Sequence, residues 1–268
     1  MRLKDRTFLV WPIGFREFSA NRASFISAGN SEEIMPRTSR AIVPNCPHHV
    51  VQRGHNRKPV FANKADYQYY LDTLIEWKKE LSVKVFAYCL MTNHVHLVLD
   101  PGDDVDSIGL LMKRLAGRQT RYVNKNERRS GSLWEGRYKI SAIETDAYLL
   151  QCCRYVELNP VKAWIVDRAE QYKWSSYATK IGEQLDDWLD EDPQFSSMAA
   201  DLTCRRNLYR QFVEQGISEQ EQNFIQQAIS RSQLTGDTLF VDKIERLLGL
   251  RIEHRGRGRP KKLVKSVL

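Results

Sequence analysis

Cysteine is scarce and poorly placed for cross-linking: the 268-residue chain has five, Cys46, Cys89, Cys152, Cys153 and Cys204, with no C-x-x-C pair. An odd set with two adjacent members suits neither a disulfide framework nor a zinc ribbon, so reduced thiols in a cytosol are expected. Long apolar runs are also missing. No stretch reaches the roughly 18 residues that a spanning helix needs, and residues 1–34 hold no apolar run followed by a small-residue cleavage site. Membrane insertion and secretion are therefore disfavoured. No internal repeat is visible. Acidic charge is in deficit, with 33 Asp+Glu against 41 Lys+Arg and a net charge of +8.

With 42% hydrophobic residues the chain can bury one main core with appendages. Charge is unevenly spread. Residues 35–180 carry 23 basic and 15 acidic side chains and residues 251–268 carry 7 and 1, whereas residues 181–250 carry 6 and 13. Two basic blocks suit a polyanion partner, because each phosphate neutralised releases counterions, although solubility charge accounts for the totals equally well.

Residues 1–34 lack clear periodicity and read as an extension ahead of Met35, a second candidate start. HHVVQRG (48–54) reads as a strand running into a turn, and residues 65–81 place Tyr67, Tyr70, Leu71, Leu74, Ile75 and Leu81 at helical spacing. Two β-rich runs, Val83 to Met91 and His94 to Leu99, are broken only by Thr92-Asn93, a hairpin signal. Helical spacing returns over 107–124, Leu133 to Ile143 reads as a strand or extended arm, and 146–158 as a helix that Asn159-Pro160 should stop. Strand, helix, strand, strand, helix, strand is the split βαβ order of a ferredoxin-like antiparallel sheet with helices on one face, an α+β fold. Domain boundaries follow: a main domain over 35–180, two or three short helices over 181–250 with a break near Asp186-Asp187, and a basic tail from Arg251 too poor in apolar surface to fold alone.

Chemistry concentrates at two places. His94 and His96 flank Val95 on a strand, so alternation puts both imidazoles on one face, where they could share a divalent cation or be two ordinary strand histidines. Any further ligand must come from elsewhere, since the next position on that face is Val98. The helix over 146–158 carries Tyr148 and Tyr155, with Asn159 four residues beyond the latter. A tyrosine beside a metal can act as a nucleophile because a cation favours phenolate, and Asn159 could donate its carbonyl oxygen; a packed tyrosine and a helix-ending Asn fit the same residues.

MTNHVHLVL (91–99), SLWEGRYK (132–139) and YVELNPVKA (155–163) together resemble the HUH-endonuclease single-tyrosine transposases, and most closely their REP-associated tyrosine transposase branch. The resemblance covers about residues 35–180, with the three motifs in order. It implies an HUH fold in which His94, His96 and Asn159 hold Mg²⁺ or Mn²⁺ and Tyr155, rather than Tyr148, attacks a phosphate of single-stranded DNA. The implied products are a 5′-phosphotyrosine link and a free 3′-OH, which another 3′-OH can reverse. Other single-tyrosine transposases often have Gln where Asn159 stands. The implied substrate is a single-stranded hairpin formed by a palindromic repeat, handled by a monomer or homodimer in a bacterial cytoplasm, at the nucleoid and away from membranes. Two other readings are a silent DNA-binding regulator and a metal-dependent nuclease with a water nucleophile.

DNA contacts are expected from Trp134, Arg137 and Lys139, which with Tyr138 interleave aromatics and cations, and from Arg114 and Arg118 beside Arg121 on the second helix, where a solvated face explains the charge as well. His48 and His49 are expected to be structural or surface residues. In the tail, RGRGRPKK (255–262) resembles an AT-hook, with Arg257, Arg259 and Lys261 placed for a minor groove or for phosphates. FVDKIERLLG (240–249) resembles an extension found in some REP-associated members.

Overall fold

A computed structural model describes residues 40–252. The expectations for residues 1–34 and for Arg257, Arg259 and Lys261 lie outside the described residues.

Strands β1 (His48–Arg53), β2 (Lys84–Met91), β3 (His94–Asp100) and β4 (Lys139–Ala142) form an antiparallel sheet in the order β2-β3-β1-β4. Helices α1 (Lys64–Glu80) and α2 (Ser107–Asn126) are the crossovers, each joining two strands that enclose a third, which is the expected split βαβ arrangement. The start of α1 is fixed by a reciprocal cap: Asn63 Oδ1 accepts from the Asp66 N–H at 3.2 Å, and Asp66 Oδ2 accepts from the Asn63 N–H at 3.1 Å. The hairpin turns at Thr92-Asn93, as its composition suggested. Gly54, which ends β1, donates its N–H to Asn93 O at 2.8 Å. A Cβ there would stand 2.4 Å from Lys58 O, so the close approach requires glycine.

Strand alternation sorts the sheet into two faces. Val50, Val95, Leu97 and Leu99 point into a core with Leu74 of α1 and Ile108, Leu111, Met112 and Leu115 of α2. The other face carries Ala87, Cys89, Met91 and Val98 and is covered by α3 (Thr145–Glu157), through Leu149, Cys152, Cys153 and Val156. The crossover helices thus share one face, while the helix bearing Tyr155 closes the opposite one. Of the arm over Leu133 to Ile143, only Lys139–Ala142 is strand; before it, a single bridge pairs Trp134 with Gly54. Asn159-Pro160 does follow the end of α3, but the chain turns once more as α4 (Asn159–Lys162). Pro160 sits in the first turn of α4, where its missing N–H would have no partner anyway.

Beyond α5 (Tyr177–Lys180) come α6 (Pro193–Ser197), α7 (Leu202–Glu214), α8 (Glu219–Arg231) and α9 (Thr238–Leu248), more helix than expected. No break in packing marks Asp186-Asp187. Asp190 exchanges hydrogen bonds with Val85 on the β2 edge, its carboxylate accepting from the Val85 N–H at 2.7 Å and its own N–H donating to Val85 O. At the opposite edge the Thr235 N–H donates to Ala142 O, and its hydroxyl meets Ser141 Oγ at 2.8 Å. Both open edges of the sheet are thereby occupied by the C-terminal region. Among the described residues no helix is long and apolar enough to cross a membrane, and all five cysteines are free thiols.

His48 is fully buried, and its Nε2 accepts the Val43 N–H at 3.1 Å. Burial lowers its pKa to about 4, against a weaker opposing backbone contact at Cys46. The folded state therefore holds it neutral while the unfolded chain takes up a proton below its ordinary 6.5. Stability present above pH 6.5 is lost as pH falls toward 4, with His48 accounting for about 2 kcal/mol between pH 8 and pH 5. Urea titrations across this range should show His48→Gln, which keeps an acceptor for Val43 but cannot titrate, with a shallower decline than the parent.

Candidate active site

The register that builds the sheet also builds a cavity. On the β1–β3 ladder Arg53 lies opposite His94 and Val51 opposite His96, so these four side chains share the face covered by α3. The cavity between them has a volume of about 650 Å³. His94, His96, Tyr155 and Asn159 line it together, with Arg53, Arg137 and Lys139 as its cations. The residues expected to form the catalytic set are thus gathered in one place. Tyr148 is not part of it; two turns earlier on α3, its ring packs 5.3 Å from that of Phe224.

The His94 and His96 rings lie 5.0 Å apart, edge to face, and the Tyr155 ring stands 5.9 Å from that of His96. His94 Nδ1 meets Asn93 Oδ1, an obligatory acceptor, at 2.7 Å, so the proton sits on Nδ1 and the Nε2 lone pair is free. His96 Nδ1 meets His49 Nε2 at 2.9 Å, and the two rings stack at 5.2 Å. Sequence reasoning assigned His49 no role in the site. Since His48 and His49 alternate, one is on the α1–α2 side of the sheet and the other on the α3 side, buried behind His96; the parity of β1 against β3 was the available signal.

Desolvation governs the electrostatics. Burial lowers His94 to about 4, helped by Arg53, and holds His96 well below its ordinary value, helped by His49, His94 and Arg53. Neutral imidazoles are the form that binds a metal. Burial raises the Tyr155 pKa, Cys152 adds to this, and Arg53 opposes it. A phenol placed here therefore ionises only with help from a cation.

Asn159 sits where helix-end chemistry orients it. Its Nδ2 donates to Tyr155 O at 2.8 Å and to Val156 O at 3.2 Å, carbonyls that the end of α3 leaves without helical partners. Both amide hydrogens are engaged, which leaves Oδ1 as the atom available to a ligand. Two imidazole nitrogens and one amide oxygen make a donor set that fits a divalent cation with water completing its shell. Among the described residues no cluster of three His, Cys, Asp or Glu side chains offers an alternative.

The expected DNA contacts divide. Arg137 and Lys139 line the cavity, and Lys139 Nζ also donates to Ser230 O at 2.7 Å. Trp134 does not serve as expected: it is only 5% exposed, packs in the α1–α2 core, and donates its indole N–H to Ala116 O at 3.2 Å, leaving no face for a base. Arg114 and Arg118 lie in the helical layer on the other side of the sheet. Their guanidiniums stand 4.4 and 5.6 Å from the Trp77 ring centre, and Arg118 also pairs with Glu76. One wall of the cavity was unforeseen. It comes from α8, through Gln226, Ile229 and Ser230. Arg154, next to Tyr155, anchors that helix by a two-pronged contact with Glu221, 2.8 Å to each carboxylate oxygen, and donates to Phe212 O at 3.1 Å.

Known proteins resemble this chain in part. A protein of Haemophilus influenzae described as a REP-associated tyrosine transposase is 25% identical over 113 residues, covering 38% of this chain; the chain spans 64% of that relative's length. Among solved structures, a REP-associated tyrosine transposase bound to a REP hairpin is 17% identical, with a TM-score of 0.49 over 58% of this chain and 94% of its own. A Deinococcus radiodurans protein described as a transposase is 18% identical, with a TM-score of 0.31 over 51% of this chain and 97% of its own. The family model for IS200-like transposases matches residues 42–159, a span that opens before β1 and closes on Asn159. Over residues 42–159 this chain is similar to the IS200-like transposases.

Proposed function

We propose that the chain is a REP-associated tyrosine transposase that cuts and rejoins single-stranded DNA at hairpins of palindromic repeats through Tyr155. The observation that carries this reading is the convergence of Tyr155, His94, His96 and Asn159 in one cavity whose other charged members are mainly cationic. Pure DNA binding has no use for a buried tyrosine beside two neutral imidazoles.

His94, His96 and Asn159 would hold Mg²⁺ or Mn²⁺, which when bound supplies Lewis-acid polarisation of the scissile phosphate. Tyr155 Oη forms a bond to phosphorus and the P–O3′ bond breaks; the phenolic proton is lost and the departing O3′ gains one. The resulting phosphotyrosine conserves the phosphodiester bond energy, so attack by another 3′-OH rejoins the strand without ATP. Arg53 opposes the cost that burial imposes on the phenolate, and Arg137 and Lys139 bring positive charge for the neighbouring phosphates.

The test is incubation with Mg²⁺ or Mn²⁺ and a labelled single-stranded hairpin carrying unpaired flanks, followed by denaturing electrophoresis. A labelled band retained on the protein is the expected result. Free fragments without an adduct would mean water is the nucleophile, and binding without cleavage would point to a regulator; either overturns the proposal.

His49 should matter through His96. Its imidazole orients the neighbouring ring, and such supporting contacts are worth about 10–100-fold in metal affinity. His49→Phe is expected to weaken Mn²⁺ binding, measured by electron paramagnetic resonance, by about that factor, and His49→Gln to recover part of it. An unchanged Mn²⁺ affinity in His49→Phe would remove this role.

A further inference from the structure

Among the described residues Trp164 is the most exposed large apolar side chain, at 92%. It is also held in an unfavourable backbone conformation. Its φ is +56°, in the left-handed region where Cβ crowds the following carbonyl and which glycine occupies at least cost. The turn that imposes this follows α4: the Trp164 N–H donates to Val161 O, and the Ile165 N–H donates to Pro160 O, both at 3.0 Å. A bulky indole therefore stands in water at a position where glycine would cost less on both counts. Strain of this kind collects where function requires it.

Its location suggests the requirement. The turn ends the segment that carries Tyr155 and Asn159, and the Ile165–Pro160 hydrogen bond sets it beside the neighbour of Asn159. The cavity that Tyr155 and Asn159 share is also lined by Arg53, Arg137 and Lys139, charge complementary to a phosphate chain. In sequence Trp164 is flanked by the charged Lys162, Asp167 and Arg168 as well as by half-exposed Ile165. An isolated aromatic face among charges suits a nucleobase better than a protein interface, whose core is depleted of charge.

We propose that Trp164 is a base-stacking platform for single-stranded DNA, receiving a base close to the phosphate presented to Tyr155. This rests on the strand-cleavage reading, but its test does not use cleavage. In the full chain carrying Tyr155→Phe, without metal, fluorescence anisotropy reads affinity for labelled dT20 and for the dA20·dT20 duplex.

Trp164→Gly is expected to weaken dT20 binding by about tenfold or more while duplex affinity stays within about twofold, and Trp164→Phe to stay within about threefold for both. The same Trp164→Gly variant should melt about 2–4 °C higher than its parent, since the strain is relieved. A more stable protein that binds the single strand less well is what a merely structural tryptophan would not give. Unchanged dT20 affinity in Trp164→Gly, or equal losses on single strand and duplex, overturns the proposal. So does light scattering that shows a dimer in the parent and a monomer in Trp164→Gly, which would make a second copy the occupant. Trp164-dependent binding with no covalent adduct in the Tyr155 protein would count against the cleavage reading alone; adduct formation with Trp164-independent binding would count against the platform alone.

Discussion

His96→Ala is expected to reduce strand cleavage by about 10³-fold or more while leaving affinity for the single-stranded hairpin within about twofold. His96 is 5% exposed and enclosed by the rings of His49, His94 and Tyr155, so it adds little to the surface that phosphates meet. What its removal takes away is one of two adjacent imidazole nitrogens, together with the partner of His49 Nε2. Each tenfold in rate corresponds to about 1.4 kcal/mol, so a loss of this size matches the several kcal/mol of charge stabilisation that such a site supplies. A chelator added to the parent protein should reproduce the loss, and excess Mn²⁺ should restore the parent but not the variant. Comparable cleavage by His96→Ala and parent would mean that the chemistry, if any, lies outside this cavity.

The second large effect is on stability. Lys180, its side chain 5% exposed, lies 3.6 Å from Glu157 and 3.3 Å from Asp192, both side chains fully buried. Glu157 also accepts from Ser176 and from Tyr209, each at 2.6 Å, and Asp192 caps α6 by accepting from the Phe195 N–H at 2.7 Å. Burial opposes the charge on Lys180, but the Cys153 thiol and the two carboxylates outweigh it and hold its pKa above the ordinary value. Lys180→Met would leave two carboxylates buried with no cation, at a cost of about 3–5 kcal/mol. The expected fall in melting temperature is roughly 10 °C, read by calorimetry. Adding Glu157→Gln to that variant should recover part of the loss, because one of the stranded charges is gone. A melting temperature unchanged in Lys180→Met would show that the cluster contributes little. This cluster matters to the site because Glu157 stands two residues after Tyr155: it pins the end of α3 to α5, α6 and α7.

Much of this was legible in the chain because it depends on short-range pattern. Alternation about Val95 placed His94 and His96 on one face, the Thr92-Asn93 break located the hairpin, and the spacing of Tyr155 to Asn159 put them one turn apart, Asn159 just beyond the end of α3. His49 was missed because its role depends on which strand lies beside β3, a long-range fact that the split βαβ order implies but residue spacing does not. The tryptophans went the same way. Neither the arm before Lys139 nor the turn after Lys162 has a period, so nothing local distinguished Trp134, buried against Ala116, from Trp164, exposed at 92%. Helical spacing correctly made Arg114 and Arg118 surface residues of α2, but could not say on which side of the sheet that helix packs. The wall supplied by α8 lies some seventy residues beyond Asn159 in sequence and is held by the pairing of Arg154 with Glu221, which only the folded chain brings together.

The most direct test of the account is to find the atom that carries the DNA. Protein incubated with Mn²⁺ and the hairpin would be digested with trypsin and nuclease and the nucleotide-bearing peptide sequenced by mass spectrometry, with Tyr155→Phe and Tyr148→Phe treated alongside. The expected result is a nucleotide joined to Tyr155 by its 5′-phosphate, absent in Tyr155→Phe and retained in Tyr148→Phe. A nucleotide on Tyr148 or on any other residue, or cleavage that persists undiminished in Tyr155→Phe, would contradict it.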